Sequence, residues 1–451
     1  MNFRTYMPQY RQTLLLAFPV ILSQVGQVVV QLVDNMMVGR LGDPDQLAAV
    51  SLGTAFFVTG MMPGMGLALG LTPIVGPLYV QGGHRTAARF FQNSLLLNLA
   101  VGVLLFGLMM GASFFFDRIG QPPRVAELTV PYFRYLAWSV IPFMLFSAFK
   151  QFMEGVGNTS IAMGITITAN LLNVGLNYVF IYGHFGAPAM GAAGAGLATF
   201  LSRCVMPVLF VAVLMRKDSY RRYFRFFGTG GFSWPKITTL NKVGLPIAGQ
   251  MFLEVCAFSI TSVMMGWIGA VQMAANQITM SLVTFSFMVV TGISAATTIR
   301  ISHESGRGDL TAVRRVAAAS YHITVAYMLL VSLLLVVFRY PLIGAFTPDR
   351  AVIEVGAQLC ILAAFFELSD GIQTVSVGML RGIRDVKAPM IIAFLSYIVI
   401  NLPVGYVLAF TFGMGASGLW IGFIFGLTVA AVLLSYRFRK MTAERASEPP
   451  V

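Results

Sequence analysis

Long apolar runs, separated by short polar and charged clusters, are the main pattern along this chain of 451 residues. The runs are continuous and lack the in-and-out alternation of barrel strands, and a helix needs roughly 20 apolar residues to cross a bilayer. Because lipid offers the backbone no hydrogen-bond partner, each run must be a helix that bonds within itself. The pattern predicts twelve spans, over residues 13–37, 46–80, 88–116, 128–150, 160–183, 190–214, 240–267, 274–302, 313–338, 351–378, 388–411 and 414–436.

The composition agrees with a lipid environment, since 57% of the residues are hydrophobic and only 10% are charged. A soluble fold could not cover so much apolar surface. A net charge of +13 would suggest nucleic acid in a soluble protein, but here the basic residues fall in alternate loops. We therefore expect an all-α polytopic protein of the lipid bilayer with no nucleic-acid partner, and the first apolar run is expected to be a span, not a removable signal.

The distribution of Lys and Arg predicts the orientation of the spans. If the N-terminus is cytoplasmic, the basic clusters all lie on the cytoplasmic side, and the opposite turns at 266–272 and 411–417 contain no Lys or Arg. The positive-inside rule then places both termini in the cytoplasm.

An internal repeat with a period of roughly 225 residues runs through the chain. For example, Phe18-Pro19 matches Leu245-Pro246 in the second half. The repeat predicts an N-terminal lobe over 1–214, a cytoplasmic linker over 215–239 and a C-terminal lobe over 240–451. Because each half has six spans, both enter the membrane from the same face, which predicts two six-helix bundles related by a pseudo-two-fold axis along the membrane normal. A cleft between the bundles would permit alternating access.

Four acidic residues lie well inside predicted spans: Asp34, Glu254, Glu367 and Asp370. A carboxylate at mid-bilayer costs on the order of 3 kcal/mol or more, so it normally faces a watery cavity and takes part in transport. The alternative is a buried acid that is neutral or paired with a base. Glu367 and Asp370 are three residues apart and share a helix face, so they can hold a cation together. Their oxygens suit a shared proton or Na⁺, and both coupling ions remain open.

Three amides and one cation complete the candidate polar residues. Asn170, Asn173 and Asn177 lie along the fifth span, where Asn173 and Asn177 share a face. Hydrogen bonds between helices explain them at least as well as a transport role. Arg203 is the one basic residue that we place deep in the membrane, where it either pairs with an acid or snorkels.

The motifs in this chain form a recognisable set. Asp34-Asn35-Met36-Met37-Val38-Gly39-Arg40-Leu41-Gly42 is followed by Leu245-Pro246 with Glu254, and then by Asp370-Gly371-Ile372-Gln373 with Leu380-Arg381-Gly382. In this order, over nearly the whole chain, they resemble the multidrug and toxic compound extrusion (MATE) transporters, in particular the NorM-like bacterial branch.

The resemblance implies export of cationic, amphipathic drugs and dyes in exchange for Na⁺ or H⁺, from a bacterial inner membrane. It also implies that Glu254 and Asp370 are the cation-site carboxylates of the second lobe, with Na⁺ as a possible ligand. Asp34 would be the first-lobe acid tied to proton or substrate coupling. It assigns no role to Glu367, which stays an inference from spacing.

The chain is therefore expected to be a secondary antiporter that works by alternating access, as a monomer and without a cofactor other than its coupling ion. It contains no Gly-Lys pair, so the usual phosphate-binding loop of an ATP-driven pump is absent. The alternative is a flippase for lipids or lipid-linked sugars, which should line its cleft with several Arg and Lys, whereas only Arg203 lies deep here. An intramembrane enzyme is not expected, because the sequence shows no metal-ligand cluster.

Overall fold

The computed structural model describes residues 3–116, 120, 122–227 and 231–447, with the side chains of 3–5 and 445–447 left aside. The described residues form helices and short connections, without a β-strand. The helices are α1 (Phe3–Gly39), α2 (Pro44–Leu69), α3 (Thr72–Val80), α4 (His84–Ser113), α5 (Pro123–Gly155), α6 (Ser160–Tyr182), α7 (Ala192–Arg216), α8 (Asp218–Arg225), α9 (Trp234–Ile268), α10 (Ala270–Arg307), α11 (Leu310–Val337), α12 (Arg339–Gly344), α13 (Arg350–Gly382), α14 (Lys387–Ala393), the π-helix π1 (Phe394–Asn401), α15 (Leu402–Tyr406), the π-helix π2 (Val407–Thr411) and α16 (Ala416–Ser447).

Twelve helical segments of the described chain are long and apolar enough to cross a membrane, which confirms the predicted number of spans. Most ends lie within a few residues of the prediction. The second span combines α2 with α3, and the eleventh combines α14, π1, α15 and π2. The spans are Tyr6–Gly39, Pro44–Val80, His84–Ser113, Pro123–Gly155, Ser160–Tyr182, Ala192–Arg216, Trp234–Ile268, Ala270–Arg307, Leu310–Val337, Arg350–Gly382, Lys387–Thr411 and Ala416–Glu444.

Local sequence signals fix several helix ends. Asp43 begins α2 by accepting a hydrogen bond from the Asp45 backbone N–H at 3.0 Å, and Pro44 occupies the first turn. Asp309 begins α11 in the same way, accepting from the Ala312 N–H at 2.8 Å. At the other end, α6 stops at Gly183, whose φ of +76° favours glycine.

The chain packs as two compact units. The first unit is Leu22–Ala248, and the second unit combines Met1–Ile21 with Gly249–Val451. Both boundaries fall inside the first helix of a repeat, α1 or α9, at equivalent positions of the duplication. The beginning of α1 therefore belongs to the second unit, and the beginning of α9 belongs to the first unit. The lobe bounds of 1–214, 215–239 and 240–451 stay a prediction drawn from the repeat.

Polar contacts hold the beginning of α1 within the second unit. The buried Arg300 guanidinium of α10 donates to the Gln9 carbonyl oxygen at 2.8 Å and to Thr13 Oγ1 at 2.7 Å. Tyr10 OH lies 2.8 Å from His322 Nδ1 on α11. Arg300 lies near the end of its span, where these acceptors and the Glu304 carboxylate, which is within electrostatic range, satisfy its charge.

A row of glycines on α16 permits close helix contact in the second unit. Gly418, Gly422 and Gly426 recur every four residues and so share one helix face. A Cβ on Gly422 would lie 2.6 Å from the Cα of Gly405, and a Cβ on Gly426 would lie 2.6 Å from the Ser396 carbonyl oxygen. The row therefore brings α16 against the backbone of π1 and α15.

Candidate ion and substrate sites

In the first unit, Asp34 on α1 meets two of the predicted amides on α6. Asn177 Nδ2 donates to Asp34 Oδ1 and also lies 3.0 Å from Asn173 Oδ1. A half-turn of the Asn173 amide places its nitrogen 3.0 Å from the same Asp34 oxygen, to which it then donates. Asn173 and Asn177 therefore share a helix face, as predicted, and that face holds the carboxyl group of Asp34.

Asn170 has a different position from the other two amides. Its Nδ2 is buried without a hydrogen-bond partner among the described residues. A Cβ on Gly26 would lie 3.1 Å from that nitrogen, so Asn170 packs against α1 well before Asp34. The structure does not bring Asn170 to the carboxyl group.

Arg203 of α7 lies between two aromatic rings of the first unit. Its guanidinium carbon is 4.8 Å from the centre of the Phe57 ring and 4.9 Å from that of Phe143, and Nη1 donates to Ser139 Oγ at 2.8 Å. Arg203 is also within electrostatic range of Asp34. Pairing with an acid and snorkelling to the membrane surface both stay predictions for Arg203.

Asp370 lies within electrostatic range of the other two buried acids of the second unit. Asp370 on α13 is 3% exposed and interacts with both Glu254 of α9 and Glu367 of its own helix. Arg381, in the last turn of α13, attracts Glu254 and donates to Gln250 Oε1 at 3.0 Å. Among these groups, Arg381 is the positive charge that balances Glu254.

Glu367 is fully buried, and only one of its two carboxyl oxygens accepts a hydrogen bond from the described residues. Ser286 Oγ of α10 donates to Glu367 Oε1, while Glu367 Oε2 has no hydrogen-bond partner among the described residues. The same is true of the Oγ1 of Thr324, a buried residue of α11. A buried oxygen without a partner is costly, and a proton or a cation would satisfy it.

Tyr397 is a candidate site residue that the sequence interpretation missed. It is fully buried in π1, and its hydroxyl lies within interaction range of the Glu254 carboxyl group and within electrostatic range of Asp370. One signal was present, because Tyr397 stands opposite Asn170 in the repeat. Regular hydropathy analysis gives no sign of a π-helix, a form that often marks functional positions.

The donor set suits a proton or a monovalent cation better than a divalent metal ion, which would need a cluster of carboxylate ligands. No three His, Cys, Asp or Glu side chains converge to metal-binding distance anywhere in the described chain. Two acids together with the Tyr397 hydroxyl still offer hard oxygen ligands. The cysteines Cys204, Cys256 and Cys360 are free thiols.

Twelve apolar spans, one of which carries the buried acids Glu367 and Asp370, define a polytopic membrane protein with ionisable groups inside its spans. The chain belongs to the MatE family, whose model matches it twice, at residues 19–179 and 246–407. The two matches begin at Pro19 and Pro246, which confirms the internal repeat.

Curated relatives extend over nearly the whole chain. A probable multidrug resistance protein NorM of Mesorhizobium japonicum is 36% identical over 438 residues, which cover 95% of this chain and 93% of the relative. The multidrug resistance protein MdtK of Cronobacter sakazakii is 33% identical over 439 residues, or 96% of each chain. The expected family is therefore confirmed.

Solved structures confirm the fold. A MATE protein in its straight conformation has a TM-score of 0.87 at 20% identity, over 98% of this chain and 97% of the other. The eukaryotic MATE transporter AtDTX14 has a TM-score of 0.87 at 19% identity, over 98% of each chain. The all-α architecture with twelve spans is the one that the sequence predicts.

Proposed function

We propose that this protein is a secondary active multidrug exporter, which moves cationic amphipathic compounds out of the cell in exchange for Na⁺ or H⁺ by alternating access. The names of the NorM and MdtK relatives support multidrug export. Membership of the family and the twelve spans support a transporter and not an enzyme.

The charge balance of the second unit is the observation that carries this proposal. Asp370 interacts with both Glu254 and Glu367, and Arg381 balances only the Glu254 carboxyl group. Buried carboxylates without counter-charges are expensive, so the other two must hold protons or a metal cation. Occupancy by the coupling ion would then favour one arrangement of the helices over another, which is the requirement for coupled exchange.

The first unit has a chemistry that suits cationic cargo. Arg203 between Phe57 and Phe143 is itself a cation held by aromatic faces, close to the Asp34 carboxyl group. An organic cation with apolar edges needs the same two elements, a carboxylate and aromatic rings. During transport, Asp34 would exchange its interaction with Arg203 for an interaction with cargo or a proton.

The remaining expectations are part of the same proposal. We further propose that the protein is a monomer in a bacterial inner membrane. Both termini would lie in the cytoplasm, because the basic loops follow the positive-inside rule. A flippase for anionic lipid head groups is the alternative. The surplus of buried acids argues against it, since such a cleft would need several Arg and Lys.

The decisive experiment is efflux of a cationic dye from proteoliposomes under separately imposed Na⁺ and H⁺ gradients. We expect at least one gradient to drive dye movement, and Glu254→Gln to abolish that movement. Glu354→Gln is the matched control, since this acid of α13 is exposed. Movement of a labelled lipid without gradient-driven dye movement would refute the proposal in favour of the flippase.

A further inference from the structure

The short helix α8 lies at one end of the first unit, where four spans begin or end. Tyr223 of α8 is buried, its hydroxyl is 3.0 Å from His84 Nδ1, and its ring centre is 5.0 Å from that of Phe152. Asn158 Nδ2 donates to Tyr220 OH at 2.8 Å. His84 begins its span and Phe152 nearly ends its own, so α8 is fixed at the level where the spans leave the membrane.

The opposite face of α8 is basic. Arg221 and Arg225 are four residues apart and share one face of the helix, Lys217 immediately precedes its first residue, and all three are exposed. Tyr223 is two residues from Arg221 and therefore points to nearly the opposite side. Arg216 and Arg222 flank these residues and are also exposed, while Asp218 is the only acid among residues 216–225.

Two exposed aromatic side chains follow this helix. Phe232 is 64% exposed and Trp234, the first residue of α9, is 67% exposed. Their ring centres are 6.3 Å apart. Trp, whose ring is amphipathic, is typical of the boundary between lipid tails and head groups, where basic side chains also meet lipid phosphates.

We propose that α8 is an interfacial helix that binds anionic phospholipid head groups through the stripe of Lys217, Arg221 and Arg225. The charge of the face selects the negative head group, and its position at the span ends selects a lipid as the source of the phosphate. Bound lipid would stabilise the first unit at the connection between α7 and α9, because Tyr223 packs α8 against α4 and α5. This role is separate from ion or drug transport.

The test uses the full-length protein in a neutral detergent, with its thermal unfolding midpoint followed as short-chain phosphatidylglycerol is added. Phosphatidylcholine of the same chain length and inorganic phosphate at the same ionic strength are the comparison ligands. We expect phosphatidylglycerol alone to raise the midpoint in the millimolar range or below. For the variant Lys217→Gln/Arg221→Gln/Arg225→Gln, the half-saturating concentration should rise at least tenfold, since each basic residue at an anionic surface contributes several-fold in affinity.

Two variants keep the test falsifiable. The control Arg315→Gln/Arg439→Gln/Lys440→Gln removes the same charge from exposed positions of the second unit and should leave the half-saturating concentration within about twofold. Arg221→Lys/Arg225→Lys keeps the charge and should bind as the native protein does. The proposal is overturned if the control variant loses as much affinity as the stripe variant, if phosphatidylcholine or inorganic phosphate stabilises equally, or if the stripe variant binds normally.

Discussion

Ser286 donates a hydrogen bond to one oxygen of Glu367, and the second oxygen of that buried carboxyl group has no hydrogen-bond partner among the described residues. The contact fixes the orientation of a side chain to which the family resemblance assigns no role. Because Asp370 lies one helical turn away and feels the charge of Glu367, the two acids belong to one electrostatic system. We therefore predict that Glu367 contributes to ion binding.

The first prediction is that Glu367→Gln weakens binding of the coupling ion without unfolding the protein. The amide keeps the contact with Ser286 but removes a charge, and a hydrogen bond or ion contact to a charged group contributes about 1.5–3 kcal/mol. We expect the ion concentration for half-maximal efflux to rise about tenfold or more. It is measured in proteoliposomes by varying Na⁺ and pH separately.

Ser286→Ala is the companion variant for this prediction. It leaves the carboxyl group charged but without its positioning contact, so we expect a smaller change in ion dependence and a lower unfolding midpoint. If Glu367→Gln shows the native ion dependence under both gradients, Glu367 has only a structural role.

The second prediction is that Glu254 and Asp370 act as one ion site. Their mutual interaction, with Tyr397 in range of both, means that loss of either carboxylate disables the same site. We expect Glu254→Gln and Asp370→Asn each to abolish gradient-driven dye efflux, and the double variant to be little worse than either single variant. Binding of dye to the purified variants should persist, as measured by fluorescence anisotropy.

The control for this pair is Glu354→Gln, which removes an exposed acid from the same helix as Asp370. Near-native efflux from either single variant would contradict the second prediction. So would a double variant whose loss equals the product of the two single losses, because that pattern belongs to independent sites.

The third prediction concerns Asp34, which we expect to control export more than folding. Asp34→Asn preserves the shape of the side chain and can still bond to Asn177, so the protein should fold with a midpoint close to the native one. Dye efflux should fall to a few per cent of the native rate, because a lone acid at membrane depth is retained for protons, cations or cargo. Initial rates at matched reconstitution levels provide the measurement.

Asn177→Leu and Glu127→Gln sharpen the test of Asp34. The first removes the donor to Asp34 and should lower both efflux and stability, whereas the second changes an exposed acid of α5 and should change neither. Normal export by Asp34→Asn would move Asp34 to a structural role.

The fourth prediction is topological. In a background with Cys204, Cys256 and Cys360 replaced by Ser, a cysteine at the exposed position Asp349 should react with an impermeant maleimide from outside intact cells. A cysteine at Ser219 on α8 should react only after the membrane is permeabilised, because the basic loops are expected in the cytoplasm. Reaction at position 349 only from the cytoplasmic side would make the proposed orientation wrong.

Hydrophobic run length was sufficient to predict the twelve spans, because the cost of exposing polar backbone to lipid leaves few alternatives. The high cost of buried charge likewise pointed to Asp34, Glu254, Glu367 and Asp370. Tyr397 and the contact of Arg381 with Gln250 escaped prediction, because they depend on a π-helix and on packing between helices distant in sequence. The packing of the beginning of α1 in the second unit also escaped prediction, because it too depends on contacts between helices distant in sequence.

The fifth prediction tests the glycine row that brings α16 against π1 and α15. A Cβ added at Gly422 would lie 2.6 Å from the Cα of Gly405 and 2.8 Å from the Asn401 carbonyl oxygen, distances that no side-chain rotation can relieve. Overpacking of this kind costs about 1–3 kcal/mol, so Gly422→Ala should lower the unfolding midpoint and move the backbone that carries Tyr397. Gly175→Ala is the control, since nothing lies within 4 Å of its added Cβ and alanine is the better helix former by about 1 kcal/mol. We expect Gly422→Ala to lower dye efflux together with stability and Gly175→Ala to retain both. Equal midpoints for the two variants would show that the backbone of π1 and α15 yields readily, and the close packing would then not be what positions Tyr397.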